Sequence, residues 1–215
     1  MAISQNERNE AEVTQSIHSE SAAAAKQALR HQLIAQRQSL DPTIWETKNN
    51  QICQHLQQSD WFRQAHCILV YQSTRKEPDL SALWQQDRTT HLWGLPRCDG
   101  TDLLWHQWQP DQPHQLQRGR FGILEPLPTL PQLKPEQVDL ILVPAVACDR
   151  QGYRLGYGGG FYDRLLSQPE WGHIKTVGIL YDFAYVERLN IEAWDCALQA
   201  VCTETGFRLS ALQSK

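Results

Sequence analysis

The chain has 215 residues, a length that suits one sizeable core better than two full domains. With 41% hydrophobic and 20% charged residues it has the composition of an ordinary folded protein, and no apolar run approaches the roughly 20 residues of a membrane-spanning helix. The formal net charge of −4 excludes the broad basic footprint of a dedicated nucleic-acid binder and suits small anionic ligands instead.

Residues 1–20 are polar and carry Glu7, Glu10, Glu12 and Glu20, unlike a signal peptide or an Arg-rich transit peptide. They are expected to form a flexible extension ahead of a single domain, residues 21–215. A helical pattern begins at Ser21, with Leu29 and Leu33 on one face. Asp41 before Pro42 is a helix start, which predicts a second helix over residues 42–57 that buries Trp45, Ile52 and Leu56. An apolar run, residues 67–71, reads as a buried strand. A short helix over residues 80–86 follows, then strands over 91–95, 103–108, 140–146, 176–181 and 200–203. The proline-rich passage 109–135 reads as an irregular surface connection. This alternation predicts an α/β protein, a Rossmann-like three-layer sandwich with a mostly parallel central sheet flanked by helices, whose ligands bind beyond strand C-termini.

The six cysteines, Cys53, Cys67, Cys98, Cys148, Cys196 and Cys202, include no CxxC pair and read as reduced thiols of a cytoplasmic protein. His91, His106, His114 and His173 lack metal-ligand spacing, and Trp84, Trp93, Trp105 and Trp108 read as packing aromatics.

The feature that carries chemistry is VPAVACDRQGYRLGYGGGFYDRLL, where a buried strand gives way to glycines and then to a helix. Gly156, Gly158, Gly159 and Gly160 let the backbone approach a ligand closely, and the free N–H groups behind them attract anions, phosphate above all. No Lys-Ser/Thr follows, so this is not a P-loop, and Phe161 stands where the dinucleotide fingerprint needs its last glycine. Arg154 offers a fork of donors for phosphate oxygens, and Asp163 offers a hard oxygen for magnesium. A tight turn and a solvated Arg154–Asp163 salt bridge remain the bland alternatives.

The run GYRLGYGGGFYDR resembles the signature of the 5-formyltetrahydrofolate cyclo-ligases, also called methenyltetrahydrofolate synthetases. The resemblance extends over residues 26–204 and includes KQALR, KEPD, LPR, FGILEP and AWDCALQAVCTE. It implies an enzyme that converts 5-formyltetrahydrofolate and ATP to 5,10-methenyltetrahydrofolate, ADP and phosphate, with Mg2+ as cofactor. ATP would be bound by Lys26, Gln27, Ala28, Leu29 and Arg30 together with Arg154, Leu155, Gly156, Tyr157, Gly158, Gly159, Gly160, Phe161 and Tyr162. The folate would be held by Gln72, Glu77 and the loop from Tyr157 through Gly158, Gly159 and Gly160 to Phe161. Asp163 and Asp195 would hold the metal, and Arg154, Tyr157 and Asp163 would be the catalytic residues. The expected partners are the two substrates only, with no nucleic acid and no membrane, and the enzyme is expected to be a monomer.

Four-residue spacing puts Lys26 and Arg30 side by side, with Arg37 two turns on, so a phosphate-facing basic stripe is available. Without the resemblance these read as a solvated helix face, while Glu77 reads equally as an acceptor for the N–H groups of a pterin and as an exposed loop charge beside Arg75 and Lys76. Gln199 and Cys148 depart from the pattern, standing where an aspartate and a phenylalanine are common. Alanine at Arg154 or Asp163 should lower turnover with little effect on folding. Two other functions stay open on the residues alone: a single-stranded RNA module using the Arg, Tyr and Gly of RLGYGGGFYDR, and an ATP-dependent enzyme with another small substrate.

Overall fold

The computed structural model describes residues 5–86 and 91–212, with side chains from Ala22 onward except that of Gln86. Helix α1, Gln5–Gln38, runs without proline or glycine through residues rich in Ala, Glu and Gln, which favour helix. Its backbone reaches back from the predicted start at residue 21 to Gln5, so part of the expected extension is helical; residues 1–4 lie outside the described residues. Helix α2, Pro42–Gln58, starts where Asp41 accepts hydrogen bonds from the Thr43 and Ile44 amides, and it buries Asn49, Ile52, Cys53 and Leu56. Trp45 is only half-buried, because its indole N–H is drawn to the Lys76 carbonyl, 3.3 Å away. A short α3, Asp60–Gln64, is capped by Ser59 and pins Phe62 in the core.

Strand β1, Cys67–Leu69, is followed by α4, Ser81–Gln86, and by the hairpin of β2, Leu92–Asp99, and β3, Asp102–Trp108, which turns at Gly100. The proline-rich connection holds a small hairpin, β4, Leu116–Arg118, and β5, Leu124–Pro126. Then come β6, Leu140–Pro144, β7, Ala147–Asp149, β8, Arg154–Leu155, and α5, Phe161–Leu166. The chain ends with β9, Lys175–Ile179, β10, Tyr185–Val186, β11, Ala200–Thr203, and β12, Gly206–Leu209.

Seven strands form the main sheet in the order β12-β11-β9-β6-β1-β2-β3. The five inner strands are parallel and the two edges antiparallel. Alternate residues serve opposite faces: Ile68, Leu140 and Leu142 pack beneath α2, α3 and α4, while Leu69, Ile141 and Val143 pack with Leu33 of α1 and Leu165 of α5. The three-layer α/β architecture is therefore as predicted. Parallel strands aim their C-terminal ends the same way, so the loops after β1 and β6 share one edge of the sheet, and these loops carry Glu77 and the glycines.

Candidate active site

The glycine loop hangs from a rigid base. Asp149 is fully buried and accepts hydrogen bonds from the amides of Gln151, Tyr153 and Leu189, tying the turn to a distant loop. At Gly152, φ is +96° and a Cβ would lie 2.1 Å from the Leu198 carbonyl oxygen, so no side chain fits there. Gly158 and Gly160 also have positive φ, and Gly160 leads directly into α5.

Arg154, brought up by β8, has a side chain only 4% exposed, and its Nη2 lies 3.0 Å from Asp163 Oδ2. The pair is thus not the solvated surface bridge that charged loops usually give. Charge holds it together without alignment, because Nε and Nη2 both lack a geometrically satisfied hydrogen-bond acceptor. The guanidinium also lies over the Tyr162 ring, 5.3 Å from its centroid. A buried cation with unspent N–H groups is an anion receptor.

Helix α1 presents Lys26, Arg30, Leu33 and Arg37 at spacings of four, three and four, which is one helical face. Lys26 meets Asp195 at 3.1 Å and Glu192 at 3.7 Å. Arg30 donates from Nε to the Gly156 carbonyl at 2.7 Å, and its partial burial lowers its pKa. Leu33 enters the core. Arg37 does not extend a phosphate-facing stripe: it is 4% exposed and donates to the Arg75 carbonyl at 3.1 Å and to the Tyr157 hydroxyl. Gln27 and Ala28 are exposed, while Leu29 packs against the core and Leu155 is buried, so these last two offer a ligand backbone only.

Beyond β1, Arg75 and Lys76 adopt left-handed conformations with φ of 49° and 56°. Each costs about 1–2 kcal/mol for a residue with a Cβ, and the turn is held by Arg37 on the Arg75 carbonyl, by Trp45 on the Lys76 carbonyl, and by the Lys76 ammonium on the Leu40 carbonyl. Its product is the burial of Glu77, 2% exposed, which is no exposed loop charge. Oε2 accepts from the Thr74 amide at 3.0 Å. Oε1 is buried with no partner of hydrogen-bond geometry, although the Tyr157 hydroxyl is near enough to act on the carboxylate. Burial raises the Glu77 pKa against the opposing charge of Arg37. Tyr157 is pushed up to about 12 by burial and by Glu77. Gln72 lines a neighbouring cavity of about 480 Å³ with Trp45, Arg75, Trp84 and Trp108.

Phe161 meets Phe121 edge-on at 6.0 Å, and Arg164 stands 5.2 Å from its ring while donating to the carbonyls of Thr101 and Gly159. Asp163 and Asp195 flank Cys196, whose thiol is raised by burial and by both carboxylates. Among the described residues no group of three or more His, Cys, Asp or Glu is placed to cage a metal. The sequence reading missed the buried role of Arg37 and the clasp made by Arg164 and Phe121. FGILEP marked Phe121 but not its contact with the glycine loop.

The model of the 5-formyltetrahydrofolate cyclo-ligase family matches residues 22–204. The 5-formyltetrahydrofolate cyclo-ligase of Haemophilus influenzae is 32% identical over 178 residues, covering 80% of this chain and 94% of that protein. That of Escherichia coli strain K12 is 36% identical over 146 residues, covering 65% of this chain and 78% of that protein. Among solved structures, the 5,10-methenyltetrahydrofolate synthetase of Aquifex aeolicus superposes with a TM-score of 0.76 at 31% identity, over 86% of this chain and 93% of that one. A family model that spans the glycine loop, the Glu77 turn and Asp195 alike leaves one assignment: this chain belongs to the 5-formyltetrahydrofolate cyclo-ligase family.

Proposed function

We propose that this site performs the reaction of its family, the ATP-dependent closure of 5-formyltetrahydrofolate to 5,10-methenyltetrahydrofolate with release of ADP and phosphate. The observation that carries the reading is the buried carboxylate of Glu77, whose Oε1 has the Tyr157 hydroxyl nearby but no aligned hydrogen bond, an acceptor suited to N–H donors such as those of a pterin, set beside a glycine loop that carries a buried cation.

The γ-phosphoryl group of ATP passes to the formyl oxygen, breaking its bond to ADP and turning that oxygen into a leaving group. The substrate's N10 then attacks the activated carbon and gives up its proton to water, and the C–O bond breaks as phosphate departs. No protein nucleophile is needed, and the two nearby thiols are poor ones: burial pushes Cys148 up to about 12, and burial with Asp163 raises Cys196. Positioning and charge do the catalysis. Arg154, whose Nε and Nη2 make no aligned hydrogen bond, takes the charge of the transferred phosphoryl together with the loop of Gly158, Gly159 and Gly160. Lys26 and Arg30 hold the remaining phosphates, Tyr157 and Phe161 stand between nucleotide and folate, and Gln72 and Glu77 orient the pterin.

Asp163 and Asp195 each already face a cation, Glu192 shares Lys26 with Asp195, and among the described residues no group of three or more His, Cys, Asp or Glu is placed to cage a metal. That donor set fits a magnesium ion that arrives on the ATP phosphates with most of its waters and takes one or two carboxylates, and it does not fit a permanent metal cage. When bound, the ion neutralises charge on the phosphates. No helix of the described residues is long and apolar enough to cross a membrane, and the proposed setting is a cytoplasmic monomer with small-molecule partners. Growth of the methenyl chromophore from 5-formyltetrahydrofolate in the presence of ATP and magnesium tests the reading, and its absence overturns it.

A further inference from the structure

Tyr157 belongs to the nucleotide loop, yet its side chain is engaged with the other half of the site. The guanidinium groups of Arg37 and Arg75 lie 5.7 Å and 5.6 Å from its ring centroid. Its hydroxyl accepts from Arg37 Nη2 and acts on the Glu77 carboxylate. Arg37 Nε meanwhile holds the carbonyl of Arg75, one of the two left-handed residues that set Glu77 in place. One buried guanidinium therefore spans the loop proposed for ATP and the turn proposed for folate.

We propose that Arg37 is a positioning residue that couples the two substrate sites through Tyr157, so that nucleotide binding sets the Glu77 turn for folate and folate binding sets the glycine loop for nucleotide. This rests on the cyclo-ligase reading of the site.

The mechanical case is local. Tyr157 is flanked by Gly156 and Gly158, the latter at φ +97°, so a phosphate that draws in the loop amides moves Tyr157 with them. The hydroxyl cannot shift without pulling on Arg37, and Arg37 cannot shift without releasing the Arg75 carbonyl. Only the planar fork of arginine donates from Nε to one partner and from Nη2 to another in fixed geometry; a lysine ammonium on a flexible stem does not. Arg30, two turns away on the same helix face, holds the Gly156 carbonyl at 2.7 Å, so α1 supplies the fixed rail against which the loop moves.

The experiment uses the full chain as wild type, Arg37→Lys, Tyr157→Phe and the double variant. Dissociation constants for 5-formyltetrahydrofolate are measured with and without a non-hydrolysable ATP analogue and magnesium, and for the analogue with and without folate. In the wild type each ligand tightens the other by the same factor, roughly 5- to 150-fold, as linkage requires. In Arg37→Lys that factor falls to about twofold or less, and the folate KM rises roughly tenfold while kcat stays within about threefold. Tyr157→Phe removes one hydroxyl from a residue 40% exposed, keeps the fold, and gives the same loss of the coupling factor, whatever its own effect on turnover; the coupling factor of the double variant is no lower than that of either single one. A purely structural role for Arg37 would lower the melting temperature and leave the coupling factor intact. Product formation with independent binding of the two ligands, wild-type coupling in either single variant, or additive effects in the double variant overturns the proposal alone. A wild type that makes no product and binds neither ligand overturns it together with the cyclo-ligase reading.

Discussion

Lys26 Nζ lies 3.1 Å from Asp195 Oδ2 across 169 residues of sequence, and the same oxygen accepts the Glu192 amide at 2.8 Å. Both side chains are largely withdrawn from water, at 19% and 16% exposure. The pair clips α1 to the loop before β11, close to the glycine loop. It also keeps a cation and a carboxylate occupied with each other until something better arrives. In the proposed function the lysine would turn to the nucleotide phosphates and the aspartate to magnesium, which would make the ion pair a resting arrangement that substrate exchanges.

Removing the lysine exposes both roles. Lys26→Met is expected to raise the KM for ATP about tenfold or more, with a loss of fold stability of about 1 kcal/mol for a partly screened pair. Steady-state kinetics and thermal melting check the two separately.

At Arg154 and Asp163 the structure revises the sequence-based expectation of little effect on folding. Asp163→Ala strands a buried guanidinium and should cost about 3–5 kcal/mol, whereas Arg154→Ala leaves a carboxylate that is 21% exposed and should cost less. Both should lower turnover by about a hundredfold or more. Urea titration ranks the two losses of stability, and single-turnover kinetics measures the losses of rate.

Glu77 makes a pH prediction whose sign follows from burial. Its folded-state pKa is raised, so the folded protein holds the proton more tightly than the unfolded chain does. The stability Glu77 contributes is full below the ordinary glutamate value of 4.5 and is lost as pH rises through the raised value. Glu77→Gln, which mimics the neutral form, should therefore melt at or above wild type at neutral pH, with the difference vanishing in acid. The same change should raise the folate KM roughly 10- to 100-fold, the worth of a hydrogen bond to a charged acceptor. A melt of both proteins across pH 4–8, paired with KM measurements, checks it.

The four buried thiols, Cys53, Cys67, Cys148 and Cys202, should be unreactive in the native protein. Burial pushes Cys53, Cys67 and Cys148 up to about 12 and Cys98 to about 11, and all six cysteines are unpaired. A thiol reagent at neutral pH is expected to modify only the half-buried Cys98 and Cys196, slowly, and to modify all six after denaturation.

Much of this was legible in the sequence where local chemistry decides. Asp41-Pro42 placed the start of α2 to the residue, and the apolar runs around Ile68, Ile141 and Val177 found β1, β6 and β9 because burial on both faces favours apolar residues at successive positions. Less visible was whatever depends on a distant partner. The hairpin of Leu116–Arg118 and Leu124–Pro126 hid in a proline-rich passage because its pairing is short and its packing tertiary. Spacing put Lys26, Arg30 and Arg37 on one face, yet it could not say what each would meet: an aspartate, a glycine carbonyl, and a strained turn. Local sequence left Glu77 open between a ligand acceptor and a surface charge because the contacts that bury it come from α1, α2 and the glycine loop.

Absorbance-monitored conversion of 5-formyltetrahydrofolate by the purified chain, with ADP release followed in parallel, decides whether this site closes the folate ring at the expense of ATP. The methenyl chromophore should grow only when ATP and magnesium are both present, with one ADP formed per methenyl product, and Arg154→Ala should abolish both signals together. Chromophore growth without ATP, ADP release uncoupled from ring closure, or full activity in Arg154→Ala would contradict it.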